Sequence, residues 1–227
     1  MISPYAASAH AQMIFNVPSR MQKTNASVEG SVVNNIARLR TFVADFTRLA
    51  DACGGNEAAF FGAGKSLLQE LIRVDDWLPS TFARADPARY QQYLLHCDPL
   101  ERFSVVSFVW DRGQSTPIHN HTVWGMVGVL RGAEIGTRYV RADADLPLTE
   151  SGASRFEAGQ IDLVSPSVGD IHRVQNALQG GVSVSIHVYG ANIGAVRRAV
   201  FGPAGEPRSF VSGYSSEFAP NLWDRSP

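Results

Sequence analysis

After residue 100 the chain is a series of short β-rich runs, and this pattern limits the fold more than any other feature. The runs are rich in Val, Ile, Phe and Tyr, and Gly, Pro or Asn separates each one from the next. They cover residues 103–110, 123–130, 134–140, 154–157, 160–164, 182–189, 196–201 and 208–211. Short strands at regular spacing, with turn residues between them, predict a closed antiparallel barrel or sandwich.

The segment before these runs has a helical pattern. Apolar residues recur at helical spacing over residues 32–49, and Gly54-Gly55 provides a stop. A second helical stretch covers residues 57–74. Asp86-Pro87 suits the start of a third helix that would end before residue 98. Because the helices precede the strands, we expect them to pack outside the β core.

The length of 227 residues predicts one domain with a buried core. We expect residues 1–30 to be a poorly ordered extension, and residues 31–227 to form the domain, with helices in 31–97 and the barrel in 101–212. The formal net charge of −1 favours neither nucleic acid nor an anionic membrane as a partner. No apolar run is long enough to span a bilayer, and no secretory pattern stands at the start, so we expect a cytoplasmic protein.

Three histidines stand in two compact stretches of the strand region. His119 and His121 end the stretch 113–121, and His172 lies in the stretch 169–176. Residues two apart on a strand point to the same side, so His119 and His121 can both face the barrel interior. We expect no acid to join them. Three neutral nitrogen donors would leave a divalent ion its full charge and several open positions.

These stretches resemble the two cupin motifs. The matching residues are Gly113, His119, His121 and Gly132 in the first motif, and Gly159, Pro166, Gly169, His172 and Asn176 in the second, with one extra residue in each of its first two gaps. Gly125 stands where the first motif has a glutamate ligand. The resemblance implies a mainly β cupin fold, a double-stranded β-helix or jelly-roll barrel with the N-terminal helices outside it.

With three histidines and no glutamate, the motif resembles that of the thiol dioxygenases, the cysteine dioxygenase family within the cupins. Within that family the chain most resembles the bacterial 3-mercaptopropionate dioxygenases. This resemblance implies that His119, His121 and His172 hold Fe(2+). It implies an enzyme that oxidises a small thiol to its sulfinic acid, so its partners are that thiol and O2, with no nucleic acid and no membrane.

Ser185, His187 and Tyr189 alternate along one run, so they share one face of a strand. By itself, this pattern favours a polar face turned to solvent. The family resemblance instead implies a catalytic hydrogen-bonded relay beside the iron. Tyr189 would direct its hydroxyl at the substrate or oxygen, His187 would orient it, and Ser185 would complete the chain.

A small thiol acid needs a group that binds its carboxylate, and arginine suits this with paired N–H donors. Arg197 and Arg198 are both candidates, and the family resemblance implies Arg198. Gln92 stands where cysteine dioxygenases have an arginine, so it could hydrogen-bond the substrate without bringing a charge. We expect Trp124 and Met126 to line or support the barrel.

Within this resemblance, Gln92 and Gly125 favour 3-mercaptopropionate over L-cysteine as the substrate. Three alternatives stay open. The first is cysteine dioxygenase proper, and the second is another cupin oxygenase. The third is a non-catalytic cupin that binds a small molecule, because fold alone does not settle function.

Overall fold

The helices at the start of the domain follow the predicted pattern. The computed structural model describes residues 36–143 and 146–216, so the expectation for residues 1–30 lies outside the described residues. The helical elements are α1 (Ala37–Cys53), α2 (Glu57–Ala59), a π-helical turn (Phe60–Gly64), α3 (Lys65–Ile72) and a 3-10 turn (Ser80–Ala83). Gly54 ends α1 in the left-handed conformation, at φ 54°, which confirms the predicted stop. None of the described helices is long and apolar enough to cross a bilayer.

Antiparallel strands make up most of the remaining described chain. They are β1 (Gln91–Cys97), β2 (Ser104–Trp110), β3 (Ile118–His119), β4 (Gly125–Arg131), β5 (Ala133–Val140), β6 (Thr149–Glu157), β7 (Ile161–Val164), β8 (His172–Asn176), β9 (Ser183–Tyr189), β10 (Arg198–Phe201) and β11 (Pro207–Phe210). One sheet has the order β1-β2-β9-β4-β7, and the other has the order β11-β10-β3-β8-β5-β6. Each run predicted from the sequence overlaps one of these strands.

The third predicted helix is wrong, because residues 91–97 form strand β1. Asp86 does cap a turn, since its Oδ1 accepts a hydrogen bond from the Ala88 backbone N–H at 2.8 Å. The chain then becomes extended and pairs with β2, from Gln91 opposite Val109 to Cys97 opposite Ser104. This pairing uses the backbone hydrogen bonds of a sheet edge and overrides the local helix signal. The barrel therefore begins at β1, before the predicted residue 101.

Strand β9 lies at the middle of the five-stranded sheet and is buried on both faces. Val184, Ile186 and Val188 belong to an apolar core that also contains the buried residues of α1 and α3. Tyr189 belongs to a second apolar cluster, with residues such as Val174 on the opposite sheet. The helices thus cover the outer face of this sheet, as predicted, and the inner face lines the barrel.

Trp124 and Met126 support the barrel from its outer side. Both side chains belong to the core beneath the helices, and Met126 is completely buried. The Trp124 ring stacks on Phe60 in the π-helical turn, with ring centroids 4.5 Å apart. Trp124 and Met126 are therefore packing residues of this core.

Gly128 on β4 allows α3 to pack closely against the sheet. A Cβ at this position would lie 2.9 Å from the Ile72 Cδ1 and 3.2 Å from the Leu68 Cγ. Gly128→Val should therefore lower the free energy of unfolding by roughly 1–3 kcal/mol, as overpacked cores do. Urea denaturation measures this, with Gly62→Ala as the control because a Cβ there meets nothing within 4 Å. Equal stability of the two variants would contradict the packing described here.

Candidate metal centre

The three predicted ligands come together inside the barrel. One ring nitrogen from each of His119, His121 and His172 lies within 4.8 Å of the other two, and all three residues are buried. Their ring centroids are 4.8–4.9 Å apart. Among the described residues, this cluster contains no carboxylate ligand. It is a cluster of nitrogen donors of the kind that binds Fe, Zn, Cu or Ni.

Strand pairing places two of the ligands, and a loop places the third. His119 on β3 stands directly opposite His172 on β8, so their side chains project from the same face of the sheet. The expectation that His121 shares the strand of His119 is wrong, since β3 ends at His119. Thr122 adopts a left-handed backbone conformation, with φ 61°, as the chain turns away. His121 reaches the cluster from this turn.

Asp170 fixes the position of His121 and was missed by the sequence analysis. Its Oδ1 accepts hydrogen bonds from the His121 backbone N–H at 2.8 Å and from the His121 Nδ1–H at 2.9 Å. Its Oδ2 accepts one from the Thr122 N–H at 2.9 Å. Because a carboxylate accepts here, the proton of His121 lies on Nδ1 and the lone pair on Nε2. Its place two residues before His172 was the signal available in the sequence.

The cluster suits a metal ion in both geometry and charge. The Nε2 of His121 is buried and has no hydrogen-bond partner in the described ranges, as expected of an atom whose partner is a metal. The Nδ1 of His119 lies 3.1 Å from the Pro117 carbonyl oxygen, which leaves the Nε2 lone pair of that ring free. Burial lowers the pKa of His119 to about 4. Burial likewise holds the pKa values of His121 and His172 well below the usual value, so all three imidazoles are neutral and able to bind a metal.

Gly125 leaves the space that a glutamate would fill in the first cupin motif. A Cβ at this position would lie 2.7 Å from the Tyr189 Cδ1 and 2.9 Å from the Val164 Cγ2. Gly125 and Tyr189 are direct neighbours on β4 and β9. The tyrosine ring therefore takes the room of the missing side chain, and a glutamate there would collide with it.

Ser185, His187 and Tyr189 form a hydrogen-bonded chain inside the barrel, which we call the polar chain. The His187 Nε2 lies 2.8 Å from the Ser185 Oγ, and the His187 Nδ1 lies 2.8 Å from the Tyr189 hydroxyl. All three residues are buried, so the solvent-facing strand suggested by the pattern alone is wrong. The Tyr189 ring stacks on His121, with centroids 5.3 Å apart, which joins the polar chain to the histidine cluster.

A small cavity adjoins the histidines. Its volume is about 40 Å³, so it fits a ligand of a few heavy atoms. The lining comprises Tyr90, Gln92, Phe108, Trp110, Thr116, Pro117, His119, His172, Val174, His187, Tyr189, Arg198, Val200, Phe210 and Ser212. Tyr90, Phe108 and Trp110 stack on one another as an aromatic wall, which the sequence analysis did not assign to the site.

Arg198, the first residue of β10, is a buried cation in this lining. Its Nη2 donates a hydrogen bond to the Ser212 Oγ at 2.6 Å, and its guanidinium lies 4.7 Å from the centre of the Phe210 ring. The buried Nε has no hydrogen-bond partner within residues 36–143 and 146–216. Burial lowers the pKa of Arg198, but an arginine keeps its charge at neutral pH.

Gln92 also lines the cavity, but its amide donors have protein partners. The Nε2 donates hydrogen bonds to the backbone carbonyls of Ser212 at 3.2 Å and Gly213 at 2.9 Å. Gln92 therefore holds the segment whose Ser212 side chain binds Arg198. The residue lies on strand β1, where the sequence analysis expected a helix.

A family model described as "Cysteine dioxygenase type I" matches residues 21–199, which is most of the chain. The chain belongs to this family. Members of the cysteine dioxygenase family are non-haem iron enzymes that oxidise thiols, and the three-histidine cluster lies within the matched region. The protein is therefore a thiol dioxygenase whose partners are a small molecule and O2. The two antiparallel sheets also confirm the predicted mainly β cupin fold.

Solved structures with a similar fold share little sequence with this family member. One is an uncharacterized conserved protein with a double-stranded β-helix domain from Klebsiella pneumoniae, at 16% identity over 56% of this chain and 88% of that chain, with a TM-score of 0.43. Another is an RmlC-like cupin protein from Desulfovibrio desulfuricans, at 21% identity over 47% and 87%, with a TM-score of 0.36. A third is the protein TT1209 from Thermus thermophilus, at 17% identity over 49% and 92%, with a TM-score of 0.39.

Removing the carboxylate behind His121 should weaken metal binding. Asp170→Ala leaves the His121 ring free to rotate and to change its protonated nitrogen, so the metal affinity should fall by roughly 10- to 100-fold. Competition with a coloured chelator measures this, and the exposed Asp143→Ala is the matched control. If Asp170→Ala bound the metal as tightly as the control variant, Asp170 would not be what orients this ligand.

Proposed function

We propose that the protein is an iron(II)-dependent dioxygenase that converts 3-mercaptopropionate to its sulfinic acid. The observation that carries this proposal is the charge of the cavity beside the three histidines. Arg198 supplies a buried positive charge, and no aspartate or glutamate lines this cavity in the described part of the chain. A small anion that carries a thiol satisfies both features.

Arg198 suits the carboxylate end of such a substrate. A buried guanidinium without an acidic partner is unfavourable until an anion neutralises it. The Ser212 and Phe210 contacts hold the guanidinium in place, and the unpartnered Nε is a donor still available. Charge-assisted hydrogen bonds from arginine to a carboxylate are among the strongest in proteins.

The same cavity disfavours L-cysteine. Cysteine carries an ammonium group next to its carboxylate, and that group needs an acceptor or an anion when it leaves water. The described part of the lining contains no carboxylate to balance an ammonium charge, and the Arg198 guanidinium would repel that charge. Because 3-mercaptopropionate lacks the ammonium group, it enters this cavity without that cost.

The reaction balances as R–SH plus O2 giving R–SO2H, so both oxygen atoms end on sulfur. Ferrous iron bound by His119, His121 and His172 would supply the redox chemistry that activates the thiolate and dioxygen. The chain's own residues would bind and orient the reactants, with Arg198 on the carboxylate and Tyr189 beside the sulfur. Holding the two reactants next to each other supplies the proximity contribution to the rate.

A panel of thiols tests the proposal. The protein is loaded with iron(II) without oxygen, its iron content is measured, and oxygen uptake and sulfinate formation are followed with 3-mercaptopropionate, L-cysteine and cysteamine. We expect 3-mercaptopropionate to give the highest kcat/KM, and His121→Ala to bind no iron and form no sulfinate. Absence of sulfinate from every thiol would refute the activity. A higher kcat/KM for cysteine would refute the substrate assignment.

Substitution of Arg198, with its neighbour Arg197 as the control, tests which residue binds the substrate carboxylate. Arg198→Ala should raise KM for 3-mercaptopropionate by roughly 10- to 100-fold, since it removes a hydrogen bond between charged groups worth about 1.5–3 kcal/mol. The iron content should not change, and kcat should change less than KM because carboxylate binding is shared by ground and transition states. Arg197→Ala is the control, because this exposed side chain bonds Ser209 away from the cavity. Equal KM values for the two variants would remove Arg198 from substrate binding.

A further inference from the structure

Glu134 is a buried carboxyl that the proposed reaction does not use. It lies on β5 with 2% of its surface exposed, opposite Asn176 of β8. The Ser183 hydroxyl donates a hydrogen bond to its Oε1 at 2.9 Å. The second oxygen, Oε2, is buried and has no hydrogen-bond partner among the described residues. A negative charge left in this position would be costly.

The environment of Glu134 favours its neutral form. Burial raises the pKa of Glu134 to about 7, and hydrogen bonding with Ser185, Ser183 and Trp110 opposes part of that rise. Ser185 stands two residues after Ser183 on β9, so its side chain lies on the same face of that strand as the hydroxyl that bonds Glu134. Ser185 is also the end of the polar chain farthest from the histidine cluster, so this end of the chain lies on the side of β9 that faces Glu134.

We propose that Glu134 is a positioning residue whose proton sets the direction of every hydrogen bond in the polar chain. Each link in that chain has one hydrogen between two heavy atoms. Burial lowers the pKa of His187 to about 3, so its imidazole is neutral and carries one ring proton. That proton lies either on Nδ1, towards Tyr189, or on Nε2, towards Ser185.

With Glu134 protonated, the hydrogens run towards the cavity. The carboxylic acid donates to the Ser185 Oγ, and Ser185 donates to the His187 Nε2. His187 then carries its proton on Nδ1 and donates to the Tyr189 oxygen. The Tyr189 hydroxyl is left to donate into the cavity, where it stabilises negative charge on a thiolate or on oxygen that is taking up electrons.

With Glu134 ionised, every hydrogen bond reverses. Ser185 donates to the carboxylate, His187 carries its proton on Nε2 and donates to Ser185, and Tyr189 donates to the His187 Nδ1. Tyr189 then presents a lone pair to the cavity and cannot stabilise negative charge there. Trp110 donates to the Ser185 Oγ in both states, at 3.4 Å, so it does not select between them.

Other charged groups near Glu134 come from several elements. Asp162 on β7 and His172 on β8 line a small void together with Glu134, and His187 on β9 belongs to the polar chain. Arg138 on β5 pairs with Asp162 at 2.6 Å, which balances that charge. His187 and His172 are neutral, because burial lowers the pKa of each. Glu134 is thus the group in this set that changes charge near neutral pH.

The tautomer of His187 tests the proposal without metal or turnover. Nitrogen-15 NMR of the metal-free protein distinguishes the Nδ1–H form from the Nε2–H form. We expect Nδ1–H below a pH of about 7 and Nε2–H above it. In Glu134→Gln, the amide stays neutral at all pH values and can donate to Ser185, so His187 should keep the Nδ1–H form throughout. A tautomer that ignores pH in the native protein would overturn the proposal.

A second test follows turnover and rests on the proposed function. The folded pKa of Glu134 is raised, so its proton is present at low pH and is lost as the pH rises through about 7. The protonated fraction falls about tenfold between roughly pH 6 and pH 8. We expect kcat/KM of the native enzyme to fall by about this factor relative to Glu134→Gln. The exposed Glu150→Gln is the control and should keep the native profile.

These outcomes separate the two proposals. If no thiol is oxidised but the His187 tautomer switches with pH, the proposed substrate chemistry fails and the role of Glu134 stands. If sulfinate forms but Glu134→Gln keeps the native pH profile, Glu134 has no such role. Ser185→Ala provides a second route should Glu134→Gln fold poorly. This variant lacks the hydroxyl between Glu134 and His187, so the tautomer of His187 should no longer change with pH. A tautomer change equal to that of the native protein would contradict the proposal.

Discussion

The central position of strand β9 is the constraint on which the rest of this structure depends. It pairs with β2 on one side and β4 on the other, so its backbone polar groups have partners on both edges. Its alternating side chains then serve two purposes. The apolar set anchors the helices on the outside of the barrel, while the polar set can exist inside the barrel because each member hydrogen-bonds the next.

Space and charge at the site follow from a few residues around this strand. Gly125 on β4 has no side chain, and the Tyr189 ring fills the gap. Among the residues that the structure describes, the histidine cluster consequently has no glutamate, and its three imidazoles are neutral because they are buried. Arg198 is then the charge that an incoming ligand meets in the cavity. This positive side chain beside neutral imidazoles is the basis of the proposal that the site binds a small anion.

Much of the fold and of the site could be predicted from the sequence. The β-rich runs, the stop at Gly54 and the three histidine ligands could be read locally, since strand alternation, glycine conformations and motif spacing depend on near neighbours. The same local reasoning failed for residues 91–97. Asp86 does cap a turn there, but the segment pairs with the edge of β2, the next strand along the chain, and this partner lies outside the window in which the helix signal was read.

The sequence by itself determined which chemistry is present: three imidazoles, a tyrosine in an alternating polar run and an arginine for an anion. Tertiary structure decided which groups support that chemistry. Asp170 holds His121, and Gln92 holds the segment that contacts Arg198, while Glu134 on one sheet accepts a hydrogen bond from Ser183 on the other. Such contacts join segments far apart in the chain, and burial sets the charge of the groups that meet there. Neither the pairing nor the burial has a signature in the local sequence, because both exist only after the two sheets close.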